Sequence, residues 1–440
     1  MISFLPIVYN ITNISFNKTF VCTPETTYLR LVYDKNLRDI DNNGLLDIPF
    51  TAGSQGNPPN TYAYVAFQNS LNNFQCKKVS NSKINAYSIS VGDVNNDGKL
   101  DIAFAAAVSD SMYVLINNGG QNFIEQRKTP GYGFPNHVAI SNNYILYTDE
   151  GSGLGNSALF IYNYSTNSYV RYDNYCKEGI SIADLNNDGT PDLVCGVSNF
   201  STSARVYFYL NLGNWSLSTA YPITSYGQFH GVRAADLDND GRVDVVTCRN
   251  GGDVYIYKNN GGNPPVFSLL TTVNPGTYLV SCELAIADVD CDNKLDIIWS
   301  KGETSINGPS IGWIKNGTWQ NYIIENGSYK VYGVSVGDLN NDGKVDIAAG
   351  LDTSLYIYYG TCQLTPTGID ENLNIKINNR TVILNLNVGF KYEIYNSVGT
   401  LIKKGSSNGS LVYRFEKSGV YILRINLNKE NITKIISIGG

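Results

Sequence analysis

Residues Gly92 to Phe104 read GDVNNDGKLDIAF. Asp93, Asn95 and Asp97 stand at positions 1, 3 and 5 of a short loop, Gly98 at 6, Lys99 at 7 and Asp101 at 9. Oxygens at alternate positions point to one side of a tight turn, and the backbone carbonyl of position 7 adds one more. This is a hard-oxygen cage of the kind Ca²⁺ takes, with six to eight ligands at about 2.3–2.6 Å. Glycine at position 6 supplies the left-handed backbone that the turn needs. The spacing begins like an EF-hand, but Phe104 stands where that loop carries Glu at position 12. Apolar alternation on both sides predicts flanking strands, so a helix–loop–helix sensor is the wrong reading.

The pattern recurs. Position 1 falls at Asp39, Asp93, Asp184, Asp236, Asp288 and Asp338. The expected ligand sets are Asp39, Asp41, Asn43 and Asp47; Asp93, Asn95, Asp97 and Asp101; Asp184, Asn186, Asp188 and Asp192; Asp236, Asp238, Asp240 and Asp244; Asp288, Asp290, Asp292 and Asp296; and Asp338, Asn340, Asp342 and Asp346. They imply about six structural Ca²⁺ ions. In the fifth loop Asn293 replaces the glycine, and Asn tolerates the same backbone region. The loops hold 20 of the 38 acidic residues, so without a cation each would crowd three or four carboxylates together. A closed cage has no open position for activating water, which makes the cations structural rather than catalytic.

Successive loops begin 54, 91, 52, 52 and 50 residues apart. Midway through the long interval, HVAISNNYILYTDE (His137 to Glu150) keeps the apolar flanks and has lost the acidic loop, as a seventh, degenerate repeat would. In each repeat one alternating run enters the loop, a second leaves it, and a third follows about ten residues later, as in Met112-Tyr-Val-Leu-Ile-Asn and Val254-Tyr-Ile-Tyr-Lys-Asn. Three or four short strands per repeat of about 50 residues make one propeller blade, and a ring of blades leaves no long exposed edge. The expected fold is all-β: a seven-bladed propeller over 20–363, with an N-terminal extension at 1–19.

These loops resemble the FG-GAP/VCBS repeats of integrin α-subunit propellers and of many microbial surface proteins. The resemblance runs from about Phe20 to Gln363, with the six acidic loops as its core. It implies a calcium-bearing propeller at a cell surface; no integrin-type inserted adhesion domain is present, so integrin-like partner recognition is not implied.

The tail reads differently. LTPTGIDEN, with Pro366 and Gly368, predicts a linker at 364–372. Residues 373–440 carry no acidic loop and alternate in short runs, among them Thr381 to Leu386, Tyr392 to Tyr395 and Val420 to Asn426, which predicts a small β-sandwich. YEIYNSVGTLIKKG, GVYILRI and TKIISI are similar to the C-terminal sorting domain of type IX secretion cargo, although the PNP usual near the start of that domain is absent. The other expectation is a sandwich for surface attachment or subunit contact.

Composition limits the function. Charged residues are 16%, against a usual value of about 25%, and the net charge is −6 with no basic run. Nucleic acid and anionic membrane surfaces are therefore not expected partners. No apolar stretch is long enough for a transmembrane helix, and Met1 to Asn10 lacks the marks of a signal peptide. Eleven Asn-x-Ser/Thr sequons, including Asn10, Asn163, Asn214 and Asn326, and eight cysteines without a CxxC pair suit an extracellular glycoprotein with disulfides. Cys22 and Cys362 bracket the propeller and are expected to lie close and clasp the ring.

No motif for nucleophilic, metalloprotease or nucleotide chemistry appears. Tyr87, His137, Glu178, His230, Cys282 and Tyr332 occupy equivalent places before the loops and would ring one mouth of a central channel. Trp215, Trp313 and Trp319, with Tyr132, Tyr221, Tyr226 and Tyr278, would offer flat rings to sugars or proteins. The expected function is binding, adhesion or structure at a cell surface, with a glycan, a surface protein or a second copy as partner. The alternatives are a carbohydrate-active enzyme, lyase or hydrolase, on the same scaffold, and a filament subunit whose segment from Ile7 to Phe20 completes another chain's sheet.

Overall fold

A computed structural model describes residues 9–24, 28–31, 37–53, 61–81, 86–106, 111–128, 135–149, 157–173, 175–196, 205–224, 227–366, 374–378, 381–385, 390–396, 401–408, 410–417, 419–427 and 430–438. Among these residues the regular structure is all strand, and seven of the eight four-stranded sheets succeed one another along the chain as blades. Blades 1 to 6 begin with the inner strands Tyr28–Leu31, Ala86–Gly92, Pro135–Ser141, Ile180–Ala183, Phe229–Ala235 and Glu283–Ala287, and each runs outward through three more strands. Blade 7 is built from Val334–Gly337, Asp346–Leu351, Ser354–Pro366 and, as its outer strand, Tyr9–Cys22.

Packing follows from the alternation. The second strand of each blade is buried on both faces, as in Asp101–Ala106 and Asp296–Ser300. Apolar clusters fill the space between successive blades, for example Val65 and Phe67 with Ile102 and Phe104, or Cys248 and Ile256 with Leu284 and Trp299. Leu29, Phe50 and Ala52 of blade 1 meet Ala348, Leu355 and Ile357 of blade 7, and Leu37 N–H donates to the Val336 carbonyl at 2.9 Å. The ring is therefore closed, and the array is a propeller.

The degenerate repeat is blade 3. Its inner and second strands pair through Ser141 and Tyr144, so two residues, Asn142 and Asn143, replace the whole acidic loop. Asn142 takes a φ of 50°, which Asn accepts more readily than most residues.

Two expectations about the N-terminus are corrected. Tyr9–Cys22 is not an extension outside the propeller: within this chain it is the outer strand of blade 7. Ile14 and Phe16 pack on the cluster between blades 6 and 7, and Ser15 Oγ lies 2.6 Å from Thr361 Oγ1. Cys22 and Cys362 do not pair: the disulfides are Cys22–Cys76, Cys176–Cys195, Cys248–Cys282 and Cys291–Cys362. The contacts of Ser15 with Thr361 and of Thr23 with Ser354 run in opposite directions along the two strands. That register puts Cys22 and Cys362 some eight residues apart along the pair, about 25 Å at 3.4 Å per residue, whereas a disulfide spans about 4.4–6.8 Å between Cα atoms.

The chain divides into two compact units, Asn13–Cys362 and Met1–Thr12 with Gln363–Gly440. In the second unit a three-stranded sheet (Asn374–Asn378, Thr381–Asn385, Ser410–Arg414) and a four-stranded one (Leu401–Ser407, Phe390–Asn396, Gly419–Leu427, Glu430–Ile438) share one core of Val382, Leu384, Phe390, Ile394, Leu411, Phe415, Leu423 and Ile425. The expected linker lies outside the described residues beyond Pro366.

Candidate metal centres

Each acidic loop joins the inner strand of its blade to the second, and the six share one hydrogen-bond plan. The position 1 carboxylate accepts the N–H groups of positions 5 and 6, as Asp93 does from Asp97 at 3.1 Å and Gly98 at 2.8 Å. Position 5 turns one oxygen to the N–H of position 7: Asp188 accepts from Thr190 at 2.8 Å. Position 9 is buried and ties two strands. Asp101 accepts Val94 N–H at 3.0 Å with one oxygen and Asn117 N–H, from the third strand, at 2.8 Å with the other.

Two positions per loop have left-handed backbone. Position 6 was legible from its glycines. Position 4 was not: Asn42, Asn96, Asn187, Asn239, Cys291 and Asn341 have φ between 56° and 60°. The recurring second Asn was the signal.

A second missed feature is the residue that ends the third strand. Asn117 Nδ2 donates to the Leu100 carbonyl of its own blade at 3.1 Å and to the Ile40 carbonyl, at position 2 of the preceding blade's loop, at 2.8 Å. Asn259 reaches Leu185, Asn316 reaches Leu237, and Gln68 reaches Leu339 in the same way. These amides string the loops together around the ring. Asn316 also begins an Asn-Gly-Thr sequon; with its amide so used and 7% exposed, it is a structural residue and no glycan site.

The structure brings Asp39, Asp41 and Asp47 together, likewise Asp236, Asp238 and Asp244, and Asp288, Asp290 and Asp296, with ligand oxygens within 4.8 Å of one another in each set. In the other loops Asn95, Asn186 and Asn340 take position 3. These donor sets fit a hard divalent cation. Asp41 Oδ1 is buried without a hydrogen-bond donor, beside the carboxylates of Asp39 and Asp47, a situation that a cation relieves. Burial pushes the position 9 carboxyls up: Asp47 and Asp296 to about 7, and Asp101, Asp192 and Asp346 to about 6. Asp188 is held below its ordinary value by the Asn186 amide and the Thr190 N–H.

Residues 184–247 and 236–299 each match the family described as FG-GAP-like repeat, and residues 85–124 match the FG-GAP repeat. These stretches carry FG-GAP-type repeats. Among solved structures it is similar to the crystal structure of the WD40 beta propeller domain of Doa1, with 10% identity and a TM-score of 0.45 over 78% of this chain and 97% of that one.

The inner strands of the propeller carry the other candidates, and they pair off rather than ring an open mouth. His230 Nδ1 lies 3.1 Å from Glu178 Oε2, while its Nε2 accepts from Asn250 Nδ2 at 2.8 Å. His137 of blade 3 reaches Glu283 of blade 6 at 3.4 Å, with Arg233 Nη2 4.0 Å from the same carboxylate. Both His137 and Glu283 are 6% exposed, so the pair bridges the middle of the ring. Cys282 is in a disulfide and Tyr332 lies under Arg30, 4.7 Å from the ring centroid; the Tyr87 side chain lies outside the described residues. The aromatic surface is also corrected. Trp215 and Trp313 are core residues, Trp319 packs partly buried between blades 5 and 6, and Tyr221 stacks on Phe208. Apolar rings are the filler that the wedge between blades demands. Tyr278 alone of the named set is exposed, at 53%; Tyr132 and Tyr226 lie outside the described residues.

Proposed function

We propose that this protein is an extracellular, calcium-stabilised propeller that serves as a binding or structural component of a surface, with a glycan or a protein as its partner. The observation that carries the reading is the repetition of one oxygen cage in six FG-GAP-type loops, each turned at the same point of its blade. Calcium would be held by positions 1, 3, 5 and 9 and would supply the charge that lets three or four carboxylates share one turn. All eight cysteines are in disulfides, which supports an oxidising compartment.

The test has two arms. Metal analysis of purified protein should find about six calcium ions per chain, and chelation should lower the melting temperature. A glycan array and crosslinking on intact surfaces, both with calcium present, should then return a bound sugar or protein. A chain that holds no calcium and melts alike in chelator overturns the metal reading; an array and a crosslinking map that are both blank overturn the binding reading.

A further inference from the structure

We propose that Lys258 and Lys315 are resident counter-cations that divide the six acidic loops into two classes: four that need a divalent ion to hold their shape, and two that keep it without one and bind calcium more weakly. The inference rests on the calcium reading above.

The third strand of each loop-bearing blade carries one residue at an equivalent register beside its loop. It is the residue just before the one whose N–H meets the position 9 carboxylate, a hydrogen bond present in all six. In four blades that residue is uncharged: Phe67, Ile116, Leu210 and Tyr359. In blades 5 and 6 it is Lys258 and Lys315. Only the loops of these two blades have Asp at both position 3 and position 5. The ammonium groups lie on those two carboxylates. Lys258 contacts Asp238 and also Asp240, the latter at 3.0 Å, and Lys315 contacts Asp290 and also Asp292, the latter at 2.9 Å. The first loop has Asp41 at position 3 but Asn43 at position 5, and the equivalent register position is Phe67, buried in the cluster between blades 1 and 2. The lysine therefore accompanies the pair of acids it touches, twice in one chain.

The other basic contacts differ. Lys99, Arg242 and Lys344 stand at position 7 and touch only the position 5 carboxylate of their own loops, Lys99 at 3.1 Å and Lys344 at 3.4 Å. They leave position 3 alone. Lys258 and Lys315 arrive from the neighbouring strand and neutralise the repulsion between positions 3 and 5 before any ion is bound. An incoming cation needs the same oxygens, so it must first displace the ammonium. Both side chains are partly exposed and have room to swing outward.

The test uses the full chain. Calcium titration by calorimetry should resolve four tighter sites and two at least tenfold weaker. In chelator, amide hydrogen exchange should stay slow in the loops of blades 5 and 6 and become fast in the other four, a readout that needs no variant. In K258M/K315M the weak class should tighten at least tenfold, and its two loops should lose their protection in chelator. Six equivalent sites, or six loops that exchange alike, overturn this proposal while leaving the calcium reading intact. No calcium uptake at any loop overturns the calcium reading itself.

Discussion

The position 9 aspartates show how one carboxylate can serve fold and ion together. Each is desolvated, yet each has at least two backbone donors, one from its own loop and one from the third strand, so removing it strands two buried N–H groups. D101A should therefore lower unfolding free energy in chelator by about 2–6 kcal/mol, at about 1–3 per lost buried partner, as read from urea denaturation. The same burial sets a pH dependence. In the cation-free protein Asp47, Asp101, Asp192, Asp296 and Asp346 titrate near 6 to 7, above the ordinary 3.8, and burial pushes Asp244 in the same direction. The folded state then holds protons that the unfolded state has released, so stability should fall as pH rises from about 4 to about 7 and level off beyond. With calcium the trend should oppose this, because the ion needs the ionised carboxylates. Thermal melts across that range, with calcium and with chelator, check both signs; a flat chelator series would show that desolvation is not what governs these groups.

At the scale of the element, most of the propeller was legible because each strand and loop is specified by its neighbours in sequence. The Asp-x-Asn-x-Asp-Gly spacing, the period-2 runs and the missing acidic loop between His137 and Glu150 are all local signals. What lay hidden depends on residues far apart in the chain. Tyr9–Cys22 joins blade 7 through a partner more than 300 residues away, and nothing in its own alternation names that partner. The pairing of Cys22 with Cys76 follows from that placement: the outer strand of blade 7 ends beside the outer strand of blade 1. The strand-ending Asn residues looked like turn signals, since the carbonyl each one reaches lies in another blade. With Cys22–Cys76 opened in C22S/C76S, the outer strand has lost its anchor to blade 1. Its amides should then exchange faster than those of Asp346–Leu351 in the same sheet, and a loss of protection spread evenly over the sheet would count against this order of release.

The whole ring depends on how its seams are tied. Amides from blades 1, 2, 5 and 6 reach back to the loop of the preceding blade. Blade 4 has no acidic loop behind it, and Asn211 Nδ2 donates to the Pro191 carbonyl of its own blade. At the junction of blades 6 and 7 the equivalent residue is Gly360, and a side chain is excluded there: a Cβ would stand 2.2 Å from the Val345 carbonyl oxygen. The missing tie is replaced by a covalent one, Cys291 at position 4 of the blade 6 loop bonded to Cys362 of the third strand of blade 7. It closes 71 residues, the longest separation of the four disulfides, and by chain-entropy arguments such a closure is worth about 4 kcal/mol. C291S/C362S should therefore melt well below the parent and begin to unfold at the seam between blades 6 and 7, where hydrogen exchange should rise first in Asp346–Leu351 and Glu283–Ala287. G360N should not restore it and should cost stability of its own, because the side chain that ties the other seams has no space at this one. A C291S/C362S protein that opens first between blades 2 and 3 would mean that the loops, rather than the seams, decide where the ring gives way.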